Sequence, residues 1–419
     1  MRHVLRIELR RSPLRWLLPL LIALDLAMLF GRSTWWIGVW PEASAAAQLP
    51  AFFFGILLGG GAAWTAGRVH RAGTTEQLAA AMQPRWRIEL PVWLSSLIFG
   101  LIAYVPGVAL AFIVSAPDAG PGFLWPSYLL LGACLITLSV SIGHLAGKLW
   151  QSRFIPPIAV AVCLFGQVMV PPIRFYVLSG HVQAEVSPSA LITRFTLTLL
   201  LTAMALTLPP RQVVRDAGWR LNTAPIRGIA AAMLFSGLAT VVTAGPLLVA
   251  RPAPADPLCS DESPRVCVWP ENRKYLGTID AMVARLVALP NGVLKLPDTF
   301  YERGLRDASV PEAGSDFQIL AGPVSVPFFL SSAVTARTVP DCEVPQDVEQ
   351  QFSHEVFRLD AYLQVRTFGN AAALGEGGGP PGVDIKEIVQ VIHLPESGQA
   401  DWIKDRLTAI RQIGANCHG

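Results

Sequence analysis

Charged residues are scarce in this chain of 419 residues: Asp, Glu, Lys and Arg make up 15%, whereas apolar residues make up 52%. Soluble globular proteins carry about 25% charged residues, and disordered chains carry few apolar ones. Both classes are therefore excluded. Six cysteines are also too few for a small disulfide scaffold. The mean hydropathy of +0.44 indicates an integral membrane protein.

Acidic residues are especially scarce in the first part of the chain. Residues 1–250 contain 18 Lys and Arg but only 8 Asp and Glu, a net charge of +10, whereas residues 251–419 contain 15 and 22, a net charge of −7. This division predicts an all-α polytopic membrane domain over 1–250, followed by a soluble α+β domain over 251–419. No nucleic-acid partner is expected for either domain.

Seven apolar stretches are candidates for crossing the lipid bilayer, because a helix needs about 20 apolar residues to cross about 30 Å of hydrocarbon. The first stretch is short and contains Asp25, and the fifth is interrupted by prolines. The predicted spans are Trp16–Phe30, Leu49–Ala66, Pro91–Ser115, Ser127–Gly147, Ile155–Val177, Ala190–Leu208 and Gly228–Ala250.

The cations are distributed unequally between the loops. Fifteen Lys and Arg precede the first span or follow the second, fourth and sixth, whereas the opposite loops hold only Arg32, Arg174 and Arg194. Short loops rich in Lys and Arg stay in the cytoplasm, so the N-terminus is predicted to be cytoplasmic. Seven crossings then place residues 251–419 outside the cell. The excess of Arg over Lys, 28 to 5, is typical of a GC-rich bacterial gene, and a bacterial cytoplasmic membrane is expected.

Four of the cysteines, Cys259, Cys267, Cys342 and Cys417, lie in the predicted soluble domain. An even number suits disulfides in an oxidising compartment, in agreement with the predicted orientation. Four cysteines allow three pairings. We favour Cys259 with Cys267, which are close in sequence, and Cys342 with Cys417; four free thiols are the alternative.

Asp25 is the one carboxylate well inside a predicted span. An ionisable group at that depth costs at least about 2.5 kcal/mol, so Asp25 is expected to face other helices or water and to have a partner. Arg174 and Arg194 are the candidates. A structural ion pair and a role in transport are both open at this point.

The loop after the second span is the most informative stretch, and it reads AGRVHRAGTTEQLAAAMQPRWRIELPVWL. Thr74 and Gln77 form a capping box before a run rich in Ala and Leu, and Pro84 ends that run. Leu78 and Met82 lie four residues apart, on one face of the predicted helix. The loop therefore predicts a short cytoplasmic helix with an apolar ridge available to a partner, or an amphipathic helix lying at the membrane interface.

This loop resembles that of the ABC-2 type family of ABC transporter permeases, in which Arg, Gly-Thr, Glu and Leu lead to Pro and a basic residue. The resemblance covers about residues 1–208. It implies a coupling helix that binds a separate ATPase subunit, and a translocation path formed with an identical or related chain. Six spans are usual in the family, whereas a seventh and a large tail are predicted here. The residues that match the family pattern are Arg71, Gly73, Thr74, Glu76, Leu78, Pro84 and Arg85. Leu78 and Met82 would form the ridge of the coupling helix.

No catalytic, cofactor or metal site is expected. The stretch GHLAGKL from Gly143 to Leu149 is one residue short of a P-loop and has no Ser or Thr after Lys148. The stretch HEVFR has Arg358 where a zinc-protease helix has its second His. Two alternatives to a permease remain: a membrane-anchored module that binds or senses an extracytoplasmic ligand, and an external membrane-bound enzyme.

The soluble domain is predicted to mix helices and strands. Helices are expected at Tyr275–Leu289, Gln346–Thr367 and Gly398–Ile413. Strands are expected from Val266, at Phe317–Leu320, at Val324–Leu330 and at Ile385–Leu394.

Overall fold

A computed structural model describes residues 2–73, 84–150, 152–170, 173–209, 223–290, 292–306, 316–320, 322–374 and 379–418. The chain divides into two compact units, Met1–Val249 and Ala250–Gly419.

The first unit consists mainly of helices, and prolines begin several of them. Pro50, Pro126 and Pro188 each occupy the first position of a helix, where no backbone N–H is needed. The helices are α1 (Arg2–Arg11), α2 (Leu14–Gly31), α3 (Trp40–Gln48), α4 (Pro50–Ala66), α5 (Arg68–Arg71), α6 (Arg85–Ser115), α7 (Pro126–Leu149), α8 (Ile155–Val168), α9 (Pro188–Thr207) and α10 (Thr223–Thr243), with short strands β1 (Ala184–Val186) and β2 (Leu248–Ala250).

Among the residues that the structure describes, five helical segments are long and apolar enough to cross a membrane, and they coincide with five of the seven predicted spans. The second is longer than predicted because α3 and α4 follow each other with only Leu49 between them. These five segments indicate a polytopic helical membrane protein. They are Leu14–Gly31, Trp40–Ala66, Arg85–Ser115, Pro126–Leu149 and Pro188–Thr207.

The predicted fifth span corresponds to the shorter helix α8, Ile155–Val168, and the predicted seventh span to α10, of which the apolar part with described side chains is Gly228–Thr243, so seven spans are not confirmed. Helix α10 ends just before Gly245, whose φ of +83° leaves the helical region. In the sequence, prolines at positions 171 and 172 follow the end of α8 and disfavour its continuation.

Small residues allow α4 and α7 to pack closely. A Cβ carbon added to Gly143 would overlap the carbonyl oxygen of Gly59, and one added to Gly147 would overlap that of Ala63. Membrane helices associate through such small residues because lipid offers no hydrophobic drive for helix association. This helix pair lies at the centre of the bundle, and both helices are largely buried.

The second unit combines a four-stranded sheet with helices. The sheet has the order β3 (Leu258–Cys259), β4 (Arg265–Val268), β5 (Thr299–Glu302) and β6 (Asp316–Phe317). The first pair is antiparallel and the next two are parallel. A second antiparallel pair joins β7 (Asp341–Glu343) to β8 (Ala415–His418). The helices are α11 (Leu276–Val287), α12 (Val326–Thr338), α13 (Glu349–Phe368), α14 (Ile385–Ile392) and α15 (Glu396–Ile413).

The core of this unit is continuous from the sheet to the helices, with Val266 and Phe300 of the sheet and Tyr362 of α13 in one buried cluster. The hydroxyl of Tyr362 donates to Gln399 Oε1 at 2.7 Å. Glu302 is also buried, and its carboxylate accepts from the Trp269 backbone N–H at 2.9 Å and from Asn272 Nδ2 at 2.6 Å. Because these polar groups are paired, they can lie in the core without a large desolvation cost.

Two of the strand predictions for this unit were wrong. Residues 326–330 begin α12, with Pro327 in its first turn, and residues 385–392 form α14. In α14, Ile385, Ile388 and Ile392 recur at helical spacing, and Asp384 caps the helix by accepting from the Lys386 N–H at 2.9 Å. The β-branched composition favoured a strand, but the spacing and the cap determine the structure.

Candidate functional site

The predicted partner-binding loop begins at an ion pair between two helices. Arg68, the first residue of α5, forms an ion pair with Glu8 of α1, whose side chain is largely buried. Helix α1 is therefore attached to the rest of the unit, because Glu8 pairs with Arg68, which lies just after the end of the second candidate span. The ion pair therefore connects α5 to α1.

The loop ends at a second, more buried cluster. Glu89, in the second turn of α6, lies 3.0 Å from His144 Nε2 and 3.2 Å from Lys148 Nζ, both of α7. The side chain of Lys148 is only 3% exposed and also donates to the carbonyl of Ala205 in α9 at 2.9 Å. The start of α6 and the end of α7 meet because consecutive antiparallel helices return to the same side of the bundle. The cluster thus joins three helices.

The residues that carry the family resemblance are only partly described. The Arg71 guanidinium lies over the Trp64 ring at 4.0 Å and donates to the Trp64 carbonyl at 2.6 Å. Gly73 has a φ of +68°, which turns the chain out of α5. Pro84 is extended and precedes Arg85, the first residue of α6. Thr74, Glu76, Leu78 and Met82 lie outside the described residues.

Asp25 is fully buried in α2, but the structure does not bring it to Arg174 or Arg194. Neither carboxylate oxygen has a hydrogen-bond partner among the described residues. The carboxylate packs against Gly107 of α6, which has no side chain to exclude it. The expected ion pair was wrong because the order of spans in the sequence does not say which helices are neighbours.

Arg194 instead holds an irregular segment of backbone, residues 173–177. Its Nε donates to the Arg174 carbonyl at 2.7 Å. Gln167 accepts from the Phe175 N–H at 2.9 Å, and Gln48 accepts from the Val177 N–H at 2.9 Å and donates to the Phe175 carbonyl at 3.3 Å. Non-helical backbone inside a membrane domain is tolerated only when such partners replace water. The buried side chains of Gln48, Gln167 and Arg194 therefore stabilise this segment by satisfying its backbone hydrogen bonds.

The four cysteines of the second unit form two disulfides. Cys259 is bonded to Cys267 across the paired strands β3 and β4, and Cys342 is bonded to Cys417 across β7 and β8. These are the pairings favoured from the sequence. Disulfides persist in oxidising compartments, so they indicate an extracytoplasmic location for this unit.

No protein-family model, no curated protein and no solved structure matches this chain. The ABC-2 resemblance thus depends on the loop motif and on the arrangement of spans.

Sequence reasoning missed the ion-paired residues around the loop. Glu8 and Glu89 are two of only eight acidic residues in the first 250, and that scarcity was an available signal. An isolated carboxylate among arginines at the ends of membrane helices is expected to be paired. The sequence did not show that Glu89 would meet α7 and not the nearby arginines.

Proposed function

We propose that this chain is the membrane-spanning subunit of an ABC-2 type exporter, driven by a separate ATPase that binds the loop between α4 and α6. The observation that carries the proposal is the pairing of both ends of that loop. One end is tied to α1 through Arg68 and Glu8, and the other to α7 through Glu89 and Lys148. A force applied to the loop would therefore reach helices on both sides of it.

In this proposal the ATPase docks on the ridge that the sequence predicts for Leu78 and Met82. ATP-driven closure moves the loop, and the ion pairs carry the movement into the bundle, which changes between two states of access. The chain itself hydrolyses nothing. Two copies, or this chain and a related one, form the translocation path.

The same proposal places the N-terminus in the cytoplasm of a bacterium and the second unit outside. The seven predicted crossings, an odd number, put the two on opposite sides of the membrane. Single cysteines at Arg87 and Asp401, both exposed, test this with an impermeant maleimide on intact cells. The native thiols Cys134 and Cys163 are buried and give little background. Labelling of Asp401→Cys only after lysis would refute the orientation.

Copurification tests the partner. The tagged chain, extracted from native membranes, is expected to bring down a P-loop ATPase, and Leu78→Asp with Met82→Asp is expected to abolish this. Leu394→Asp is the matched control, because Leu394 is an exposed leucine of the second unit. An intact chain that binds no ATPase in native membranes contradicts the proposal and favours the anchored binding module.

Coupling is tested separately from binding. Glu89→Gln is expected to leave the ATPase bound but to reduce transport-linked ATP hydrolysis, because Lys148 loses its carboxylate partner. Removing one partner of a buried ion pair costs about 3–5 kcal/mol, so the variant must first be shown to be folded. Glu89→Gln with Lys148→Met removes both charges and is expected to recover stability without recovering coupling. Normal coupling in the double variant would exclude this cluster as a transmission element.

A further inference from the structure

A long apolar groove lies between α7, α8, α9 and α10. Its volume is about 800 Å³, within the range of about 300–1,000 Å³ that is usual for small-ligand sites. The amide oxygen of Gln167 at its wall is already engaged by the Phe175 N–H. The remaining walls are mostly aliphatic, including Ile142, Val162, Leu201 and Leu234. The groove thus suits a hydrocarbon chain and not a polar solute.

A small polar cavity shares part of its lining with this groove. It has a volume of about 140 Å³, and Trp150 and Ile155 line both spaces. Two arginines, Arg71 and Arg153, line the small cavity together with Ser152, and none of its described lining residues is acidic. A basic, polar end therefore adjoins a hydrocarbon-lined groove.

The two arginines are placed to receive an anion. Arg153 is exposed and has no acceptor in the part of the chain that the structure describes. Burial and the positive charge of Arg68 lower the pKa of Arg71, so an anion there would relieve unfavourable electrostatics. Gly67 leaves room for the Arg71 guanidinium, since a Cβ at that position would lie 2.9 Å from Nη1.

We propose that the groove and the small cavity together form a binding site for an anionic phospholipid of the surrounding bilayer. One acyl chain lies in the groove, and the headgroup phosphate lies between Arg71 and Arg153. Two features identify a membrane lipid. Helices α7 and α9, which line the groove, are long and apolar enough to cross a membrane. Trp and Arg side chains at one end of such a groove are typical of the headgroup level.

Native mass spectrometry of the full-length protein in detergent tests the headgroup. Palmitoyl-oleoyl phosphatidylglycerol is expected to bind more tightly than the matching phosphatidylcholine, by about fivefold for each arginine. Arg71→Ala with Arg153→Ala is expected to remove the preference. Arg87→Ala is the matched control, because Arg87 also lies over a tryptophan ring, that of Trp86 at 5.3 Å, but does not line either space.

A second variant tests the acyl chain. Gly166 lines the groove and has no atom within 4 Å of an added Cβ, so the side chain of Gly166→Leu would project into the groove and narrow it without a clash at the Cβ. It is expected to lower retention of both lipids at least several-fold. Gly31→Leu is the control, because Gly31 also has open space around it but lies in α2.

Three outcomes would overturn the proposal. Equal retention of the two lipids by the unaltered protein refutes the headgroup assignment. Undiminished retention in Gly166→Leu refutes the groove. A dimer that carries no lipid and separates on Gly166→Leu assigns the groove to a second copy of the chain. None of these measurements involves the ATPase, so the lipid site and the exporter proposal can fail independently.

Discussion

Gly143 of α7 lies directly against the backbone of Gly59 in α4, so that a Cβ carbon added to Gly143 would overlap the Gly59 carbonyl oxygen. Close approach of two helix backbones increases dispersion contact without leaving polar side chains in lipid. The neighbouring approach of Gly147 to Ala63, one helical turn along, extends the same contact. The stretch GHLAGKL, which superficially resembles a nucleotide loop, therefore contains two glycines that serve helix packing.

Gly143→Ala is expected to destabilise the membrane unit by about 1–3 kcal/mol, because the overlap is with backbone, which cannot rotate away. Unfolding of the purified protein by heat or by titration with a denaturing detergent measures the loss. Gly166→Ala in α8 is the control, since it has open space around it and should change stability little. Equal effects at both positions would show that the close contact between α4 and α7 is not a determinant of stability.

Asp25 and Gly107 are expected to be energetically coupled. A Cβ at Gly107 would overlap the Asp25 carboxylate, so Gly107→Ala should destabilise the bundle by about 1–3 kcal/mol. Asp25→Ala with Gly107→Ala removes the overlap and should be more stable than Gly107→Ala alone. A double-mutant cycle on thermal unfolding measures the coupling. Strictly additive effects would mean that the Asp25 carboxylate does not contact the methyl group that Gly107→Ala introduces.

The two disulfides are expected to contribute unequally. Cys342 and Cys417 are separated by 75 residues, whereas Cys259 and Cys267 are separated by 8. Loop-closure entropy predicts about 4.5 kcal/mol for the first bond and about 2.5 kcal/mol for the second. Paired Cys→Ser variants of each bond, compared by pulse proteolysis of the second unit in the full-length chain, test the order. A larger loss from the short bond would contradict it.

Asp360 of α13 should make the second unit depend on pH. Burial raises its pKa above the ordinary value of 3.8, although hydrogen bonds from Gln364, Ser331 and Thr335 oppose the shift. At a pH between the ordinary pKa, which applies to the unfolded state, and the raised pKa of the folded state, only the folded state retains the Asp360 proton. The unfolding free energy therefore falls as the pH rises through this window. Above the raised pKa the penalty is constant.

Asp360→Asn removes the titrating group and is expected to flatten this dependence. Pulse proteolysis of both proteins from about pH 4 upward, in urea, gives the difference in unfolding free energy at each pH. The unfolding free energy of the variant should increase relative to that of the unaltered chain as the pH rises. Parallel profiles would show that the carboxylate is as easily ionised in the folded state as in the unfolded one.

Sequence reasoning was most reliable where the signal is local. Five of the predicted spans and helices such as Glu349–Phe368 follow from runs of apolar residues or their spacing. It was less reliable for Ile385–Leu394, where β-branched residues suggested a strand and the spacing of the isoleucines favoured a helix. Hydropathy alone also does not weigh helix breakers, such as Gly245 with its positive φ just after α10, or the two prolines that follow α8 in the sequence.

By itself the sequence determined the division of the chain into an apolar, basic first part and an acidic second part. It also determined that four of the six cysteines lie in the second part, while the other two lie in apolar helices. Only the tertiary structure decided which charges meet. Asp25 has Gly107 as its neighbour and not an arginine, while Glu89 meets Lys148. Hydropathy is a sum over neighbouring residues and can be read along the chain. An ion pair between helices depends on how they rotate and pack, and that is set by contacts between residues far apart in the sequence.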